Sequence, residues 1–291
     1  MPTLSIVIRC RNEAASLRRL LSVLRLQICD FDWELIVVDN DSEDDSRAIA
    51  EEFRSVILSI SKADFTYGAA LNFGIGYAQS ELILLLSAHA LPVGRHFLAD
   101  AVRGFDDPKM AAARCLAADN RRQMLRWENP VFLHYDSPQE QHAAEARDPN
   151  LSEYPAATCC VIRRSVWEEI KYDESMEFGE DKYWASRVLA SGYSIRSCSE
   201  ALWLYTREYT RNQFFKRLIK NYASFYRMTR RAPLSPLGYV SRLVKAAIMT
   251  PRVAGRYLLD KFLVNSILFL TPYFGRQKPK VGSTEESHIK Q

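Results

Sequence analysis

Hydrophobic positions follow two alternating patterns: short unbroken apolar runs, and longer stretches in which apolar residues recur every three or four positions. The most decisive run is 82–86, five consecutive aliphatic residues bounded by Ser87 and Pro92. Too short for a free-standing helix, it predicts a strand buried on both faces. Residues 4–10 (LSIVIRC), 34–38, 56–60, 110–116 and 157–163 predict further strands, with short ones over 194–198 and 201–205. Leu17, Leu20, Leu21 and Leu24 place a helix over 13–27, and the polar group 39–42 caps a helix that runs to Phe53. Further helices are expected over 67–78, 94–105, 165–170 and 182–190. Strands alternating with helices imply an α/β fold: a mostly parallel central sheet flanked by helices, joined by right-handed crossovers.

The pattern breaks twice. Over 117–154 it dissolves into charged and amide residues with Pro130, Pro138 and Pro149, a length of irregular chain that suggests an acceptor-side insertion or lid. From 211 to 280 there are 15 Lys and Arg against a single acid, Asp260, so the chain's +4 divides into +14 here and −10 elsewhere. A basic segment on an acidic body implies an anionic partner. Its most apolar part, 258–274, is interrupted by Asp260, Lys261 and Asn265 and falls short of the roughly 20 apolar residues of a spanning helix. It reads as an amphipathic helix at a membrane surface, or one packed on the body or on a second copy. The expected division is a catalytic domain over 1–210, this basic segment, and a disordered tail over 281–291. Basic residues among Phe214, Phe215 and Tyr222 carry no recognised nucleic-acid motif, so no nucleic-acid partner is expected. Six cysteines without a CxxC pair, and no signal-peptide pattern, imply reduced thiols and a cytoplasmic protein, peripheral on the inner face of a membrane.

Three polar clusters follow predicted strands: 9–13, 39–42 and 87–89. In a parallel sheet all three arrive at the carboxyl edge, where α/β sheets bind nucleotides. Taken singly, the first two are equally explained as helix starts. No GxGxxG follows the first strand, and Arg9-Cys10-Arg11 would crowd a pyrophosphate, which argues against a dinucleotide site. Glu180-Asp181 follow Gly179 at a predicted helix start, where the helix dipole favours an ionised carboxylate; plain capping is the alternative. Trp184 and Arg187, on the next turns, suit an acceptor pocket, although Trp184 suits the core equally well.

The segments SIVIRCRNE, ELIVVDNDSEDDS, DFTYGAALNFGIGYAQSELILLLSAHALP and FGEDKYWASRVLASGYSI, in that order within 4–224, resemble the family 2 glycosyltransferases of GT-A fold, especially their rhamnosyltransferase-like bacterial branch. The resemblance implies a nucleotide-sugar pocket lined by Cys10, Arg11, Glu13, Asp39, Asn40 and Ser87, with Asn72 close by. It makes Asp181 the general base of an inverting transfer to a glycan or lipid-linked glycan, with Glu180 orienting acceptor or base. Relatives usually carry Asp-x-Asp after the central strand, where this chain has Ser87-Ala88-His89. His89 suits Mn²⁺ better than Mg²⁺, which prefers oxygen, or as a cation would bond the diphosphate directly. Late histidines of the family are replaced in LWLYTREYT by Tyr205 and Arg207, and Leu71 stands where an arginine is common. Cationic side chains, Arg207 among them, are therefore expected to supplement or replace a metal at the leaving group. A catalytically silent nucleotide- or glycan-binding scaffold, and a nucleotidyltransferase releasing pyrophosphate, are the alternatives.

Overall fold

The computed structural model describes residues 3–118 and 157–207. The chain divides into two compact units, Met1–Tyr209 and Thr210–Gln291, and all described residues belong to the first. The expected insertion beyond Ala118, the basic segment and the tail lie outside the described residues.

Four strands, β1 (Leu4–Cys10), β2 (Trp33–Asp39), β3 (Val56–Ser59) and β4 (Leu82–Ser87), run parallel in the spatial order β3-β2-β1-β4. The sheet continues through β7 (Cys159–Arg163), β6 (Met110–Ala117) and β8 (Ser194–Tyr205) to β5 (Ala90–Pro92). Two of these depart from parallel pairing. β7 runs antiparallel to both β4 and β6, and β5 antiparallel to β8. The reason for the first is positional: β6 ends at the carboxyl edge, and the chain re-enters the sheet from that same edge at Thr158, whose carbonyl accepts from the Ser87 N–H at 2.9 Å. Instead of two short strands, 194–205 forms one: it pairs with β6 up to Cys198 and again at Leu202 and Trp203, with 199–201 bulged between Cys115 and Leu116, and its end pairs with β5.

Helices cover both faces. On one, α1 (Ala14–Arg25), α2 (Ser46–Glu52) and α4 (Phe97–Ala101) pack Leu17, Leu20, Leu21, Leu24, Ile49 and Phe97 onto Leu4, Ile6 and Ile8 of β1. On the other, α3 (Tyr67–Tyr77), α5 (Arg164–Glu169) and α6 (Glu180–Ala190) pack Leu71, Ile75, Val166, Trp184 and Val188 against Val7, Leu85 and Ile162. Period-two alternation along β1 therefore sends Ile6, Ile8 and Cys10 to one layer and Val7 with Arg9 to the other. The six cysteines are unpaired, and Cys115, Cys159, Cys160 and Cys198 are small buried groups whose thiols, where shifted, are pushed up first by burial.

Helix α3 lies close on the sheet because Gly74 faces it: a Cβ there would stand 2.5 Å from Val7 Cγ1 and 2.9 Å from Val38 Cγ2. Gly74→Ala must therefore push β1, β2 and α3 apart, and overpacking of this kind costs about 1–3 kcal/mol, more than alanine's helix propensity returns. Urea unfolding should show that loss; a variant as stable as its parent would mean the contact relaxes freely.

Candidate active site

The sheet register brings the strand ends level. Cys10 pairs with Asp39 across β1 and β2, Arg9 with Ser87 across β1 and β4, Leu86 with Cys159 across β4 and β7, and Ala90 with Tyr205 across β5 and β8. All the polar clusters thus meet at the carboxyl edge.

The first two loops are clasped together. Asn12 and Asp41 adopt left-handed φ of 51° and 45°, a region that Asn and Asp enter more readily than other side chains. The Asn12 N–H donates to Ser42 Oγ at 3.0 Å, and its own Oδ1 accepts from the Glu43 N–H at 2.7 Å. Glu13 and Ala14 donate their N–H groups to Ser46 Oγ and Asp44 Oδ2, both at 3.0 Å, so α1 is capped from the neighbouring loop rather than by its own residues. The clasp leaves Asp39 and Asn40 buried, with Asp39 Oδ1 and Asn40 Oδ1 lacking any hydrogen-bond partner. Buried acceptors of this kind require an explanation, and a ligand's N–H or hydroxyl supplies one. Arg11 is exposed on the same loop.

Glu13 reaches across to the third cluster. Its Oε2 lies 2.9 Å from His89 Nδ1, and its Oε1 lies 3.1 Å from the Arg207 guanidinium. A carboxylate only accepts, so the proton in this contact is carried by Nδ1. Tyr205 holds the imidazole edge-on, with ring centroids 4.9 Å apart, and the His89 carbonyl accepts from the Thr206 N–H at 2.9 Å. As a metal site this donor set fits poorly. Both Glu13 oxygens are already engaged, one by the Arg207 guanidinium and one by the His89 ring, and no group of three His, Cys, Asp or Glu side chains gathers among the described residues.

On the opposite layer stand the paired carboxyls. Gly179, with φ at 85°, caps α6 in a conformation that strains any residue with a Cβ, and sets Glu180 and Asp181 in the first turn. Glu180 is buried at 5% exposure with its Oε1 3.5 Å from Arg9 Nη1. Its pKa is raised to about 7, first by burial and then by the neighbouring Asp181, while Arg9 pulls it down. Asp181 accepts the Ala157 N–H at 3.2 Å and the Lys182 N–H at 2.8 Å. Since Thr158 bonds Ser87, and Ser87 leads to His89, the carboxylates and the imidazole occupy the same edge of the molecule.

Three expected site residues have other employment. Asn72 uses all four amide positions on α5 and the segment after it: it donates to the Tyr172 carbonyl and Glu174, and accepts from Trp167 Nε1 and the Tyr172 N–H, at 2.8–3.1 Å. It stitches α3 to that segment and has no hydrogen bond left for a nucleotide. Trp184 is fully buried, stacked on Tyr172 with centroids 5.2 Å apart and donating to the Ile170 carbonyl, so it is core and lines no acceptor pocket. The Cys10 thiol is buried, its pKa pushed up to about 12 by burial; its partners are Ser46 and the Glu13 backbone inside the clasp, and its carbonyl accepts from Asn40 N–H at 3.0 Å. Arg187 is exposed and donates to the Lys171 carbonyl at 3.1 Å. Tyr67 and the Ala157 backbone stand beside these groups and were not singled out from the sequence, and Arg9, counted there in the cluster 9–13, was given no role. A lone charge inside an apolar strand was the available signal.

Residues 5–171 match the glycosyl transferase family 2 family. The O-antigen chain rhamnosyltransferase WbaN of Salmonella anatum is 28% identical over 194 residues, covering 63% of this chain and 60% of that protein. The O-antigen chain rhamnosyltransferase RfbN of Salmonella typhimurium is 25% identical with the same coverage. The chain thus spans about 60% of the length of these curated relatives. Among solved structures, the mannosyltransferase PcManGT of Pyrobaculum calidifontis, in complex with GDP-Man and Mn²⁺, shares the fold with a TM-score of 0.59 at 16% identity, covering 94% of this chain and 74% of that one. The α/β architecture is accordingly that of the GT-A glycosyltransferases.

The raised pKa of Glu180 has a sign that can be measured. A carboxyl that holds its proton more tightly when folded loses its stabilising contribution as pH climbs from the ordinary 4.5 toward about 7. Glu180→Gln has no such titration. Its stability deficit relative to the parent, followed by urea unfolding, should shrink by more than about 1 kcal/mol between pH 5 and pH 8. A deficit that does not change with pH would show that Glu180 titrates normally.

Proposed function

The chain belongs to glycosyl transferase family 2, and on that premise we propose that it moves a sugar, with inversion, from a nucleoside-diphosphate sugar to a hydroxyl of a glycan or lipid-linked glycan. The observation that carries this reading is the joining of the two halves of the site: Asp181 bonds the peptide next to Thr158, and Thr158 bonds Ser87, two residues before His89. A donor lying across that edge has groups for each part. The orphaned oxygens of Asp39 and Asn40 accept from base or ribose. Arg207 and, when protonated, His89 face the diphosphate from around Glu13.

In the reaction the acceptor oxygen bonds to the anomeric carbon as the bond to the diphosphate breaks on the opposite side. Asp181 takes the acceptor's proton, and the negative charge that collects on the departing nucleoside diphosphate is met by the guanidinium and imidazolium. Two backbone N–H groups on the Asp181 carboxylate fix its direction. Glu180, buried behind it, orients the base. No step is assigned to a metal, because the described residues do not provide a ligand set for one. The named relatives act on O-antigen chains as rhamnosyltransferases, which supports a deoxyhexose donor and a polysaccharide acceptor. The described residues contain no helix long and apolar enough to cross a membrane, and the basic 211–280 segment is the proposed attachment to an anionic cytoplasmic membrane face.

Asp181→Asn tests the assignment. Transfer should fall by about 10²–10⁴-fold while nucleoside-diphosphate affinity, followed by calorimetry, changes by less than about threefold. Retained turnover would discard Asp181 as the base. A parent protein that binds nucleotide but neither transfers nor hydrolyses any donor would favour the silent-scaffold alternative.

A further inference from the structure

Arg9 is the only charged side chain in β1, and strand alternation turns it to the layer of α3 and α6. Its side chain is 12% exposed and makes three contacts. Nη2 donates to the Ala157 carbonyl at 3.1 Å, Nη1 lies 3.5 Å from Glu180 Oε1, and the guanidinium carbon stands 5.2 Å from the centre of the Tyr67 ring. Ala157 is gripped from both ends, since its N–H is the donor to Asp181 Oδ2. One guanidinium therefore ties the strand that leads into the Glu13 loop to the peptide that aims Asp181 and to the carboxyl beside it.

We propose that Arg9 is a positioning residue for transfer: it fixes Asp181 through Ala157, pairs with the buried Glu180 carboxyl, and so couples the nucleotide side of the site to the proton-accepting side. The role rests on the reading of Asp181 as base. It fits the residue type, because only a planar fork reaches a carbonyl and a carboxylate together while lying against an aromatic ring. It also explains how a carboxyl can be this deeply buried: an unpaired charge here would be far more costly than a paired one. The groups facing Glu180 are Arg9 from β1, Asp181 from its own helix, and the buried Tyr172, which stays neutral because burial holds its proton. Arg9 is the cation among them.

The test uses Arg9→Met and Arg9→Lys in the full chain, with circular dichroism confirming the fold of each. Arg9→Met should lower kcat by about 10–100-fold, leave the donor KM within about threefold, and move the acidic limb of the kcat profile up by about one pH unit. Arg9→Lys keeps the charge but not the fork, so kcat should stay reduced with the limb near the parent's position. Should the methionine variant not fold, the lysine variant decides: parent-like kcat overturns the proposal. A second reading needs no activity. With glutamate carboxyl carbons labelled by ¹³C, and the Glu180 signal identified by its loss in Glu180→Gln, the NMR midpoint should lie near 7 in the parent and higher in Arg9→Met. An unmoved midpoint overturns the proposal whether or not sugar is transferred. A moved midpoint in a chain that transfers nothing would support the Arg9–Glu180 coupling and instead overturn the glycosyl-transfer reading.

Discussion

Sheet register is the constraint on which the site depends. β1 is hydrogen-bonded on one side to β2 and on the other to β4, so Cys10 stands level with Asp39 and Arg9 with Ser87. A slip of one residue would turn Arg9 into the α1 layer and Cys10 out of it, because side chains alternate faces with period two. Burial on both faces forbids that slip: Leu4, Ile6, Ile8 and Cys10 fill one layer while Val7 and the close approach of Gly74 fill the other. The apolar packing that stabilises the domain is thus also what aligns its polar loops.

From that alignment follows a division of charge at the edge. Around Glu13 gather His89 and Arg207, suited to phosphate. Behind Ala157 lie Glu180 and Asp181, suited to taking a proton. The two groups are joined through the Thr158–Ser87 backbone hydrogen bond, and each has its own ion pair, Glu13 with Arg207 and Glu180 with Arg9. An edge of this kind can receive a ligand whose two ends differ in charge.

Much of this was legible in the sequence for physical reasons. Residues 82–86 could only be a buried strand, and polar clusters after parallel strands must arrive together, so the meeting of Glu13, Asp39 and His89 at one edge was readable without coordinates, while Glu180-Asp181 drew notice as a helix start and through the family resemblance. What stayed hidden depends on contacts distant in the chain. Asn72 sits in a glycine-rich helix that invites a ligand, yet its partners Trp167, Tyr172 and Glu174 lie about a hundred positions away. Trp184 was ambiguous because one face of a helix start and the core begin on the same turn, and Tyr172 decides it. The reversal of β7 follows from where the chain re-enters the sheet, which hydrophobic patterning does not encode. Arg9 was read only as part of the polar cluster after the first strand, and its meaning came with Glu180 and Ala157 beside it.

The account's central claim is that one donor spans this edge from Asp39 and Asn40, past His89 and Arg207, to a sugar facing Asp181. A crystal structure with an unreactive nucleoside-diphosphate sugar measures that directly. It should place the base or ribose against the two orphaned oxygens, the diphosphate within hydrogen-bond distance of His89 or Arg207, and the anomeric carbon exposed toward the Asp181 carboxylate with room for one hydroxyl between them. A donor whose sugar points away from Asp181, or whose diphosphate lies elsewhere than beside His89 and Arg207, would contradict it.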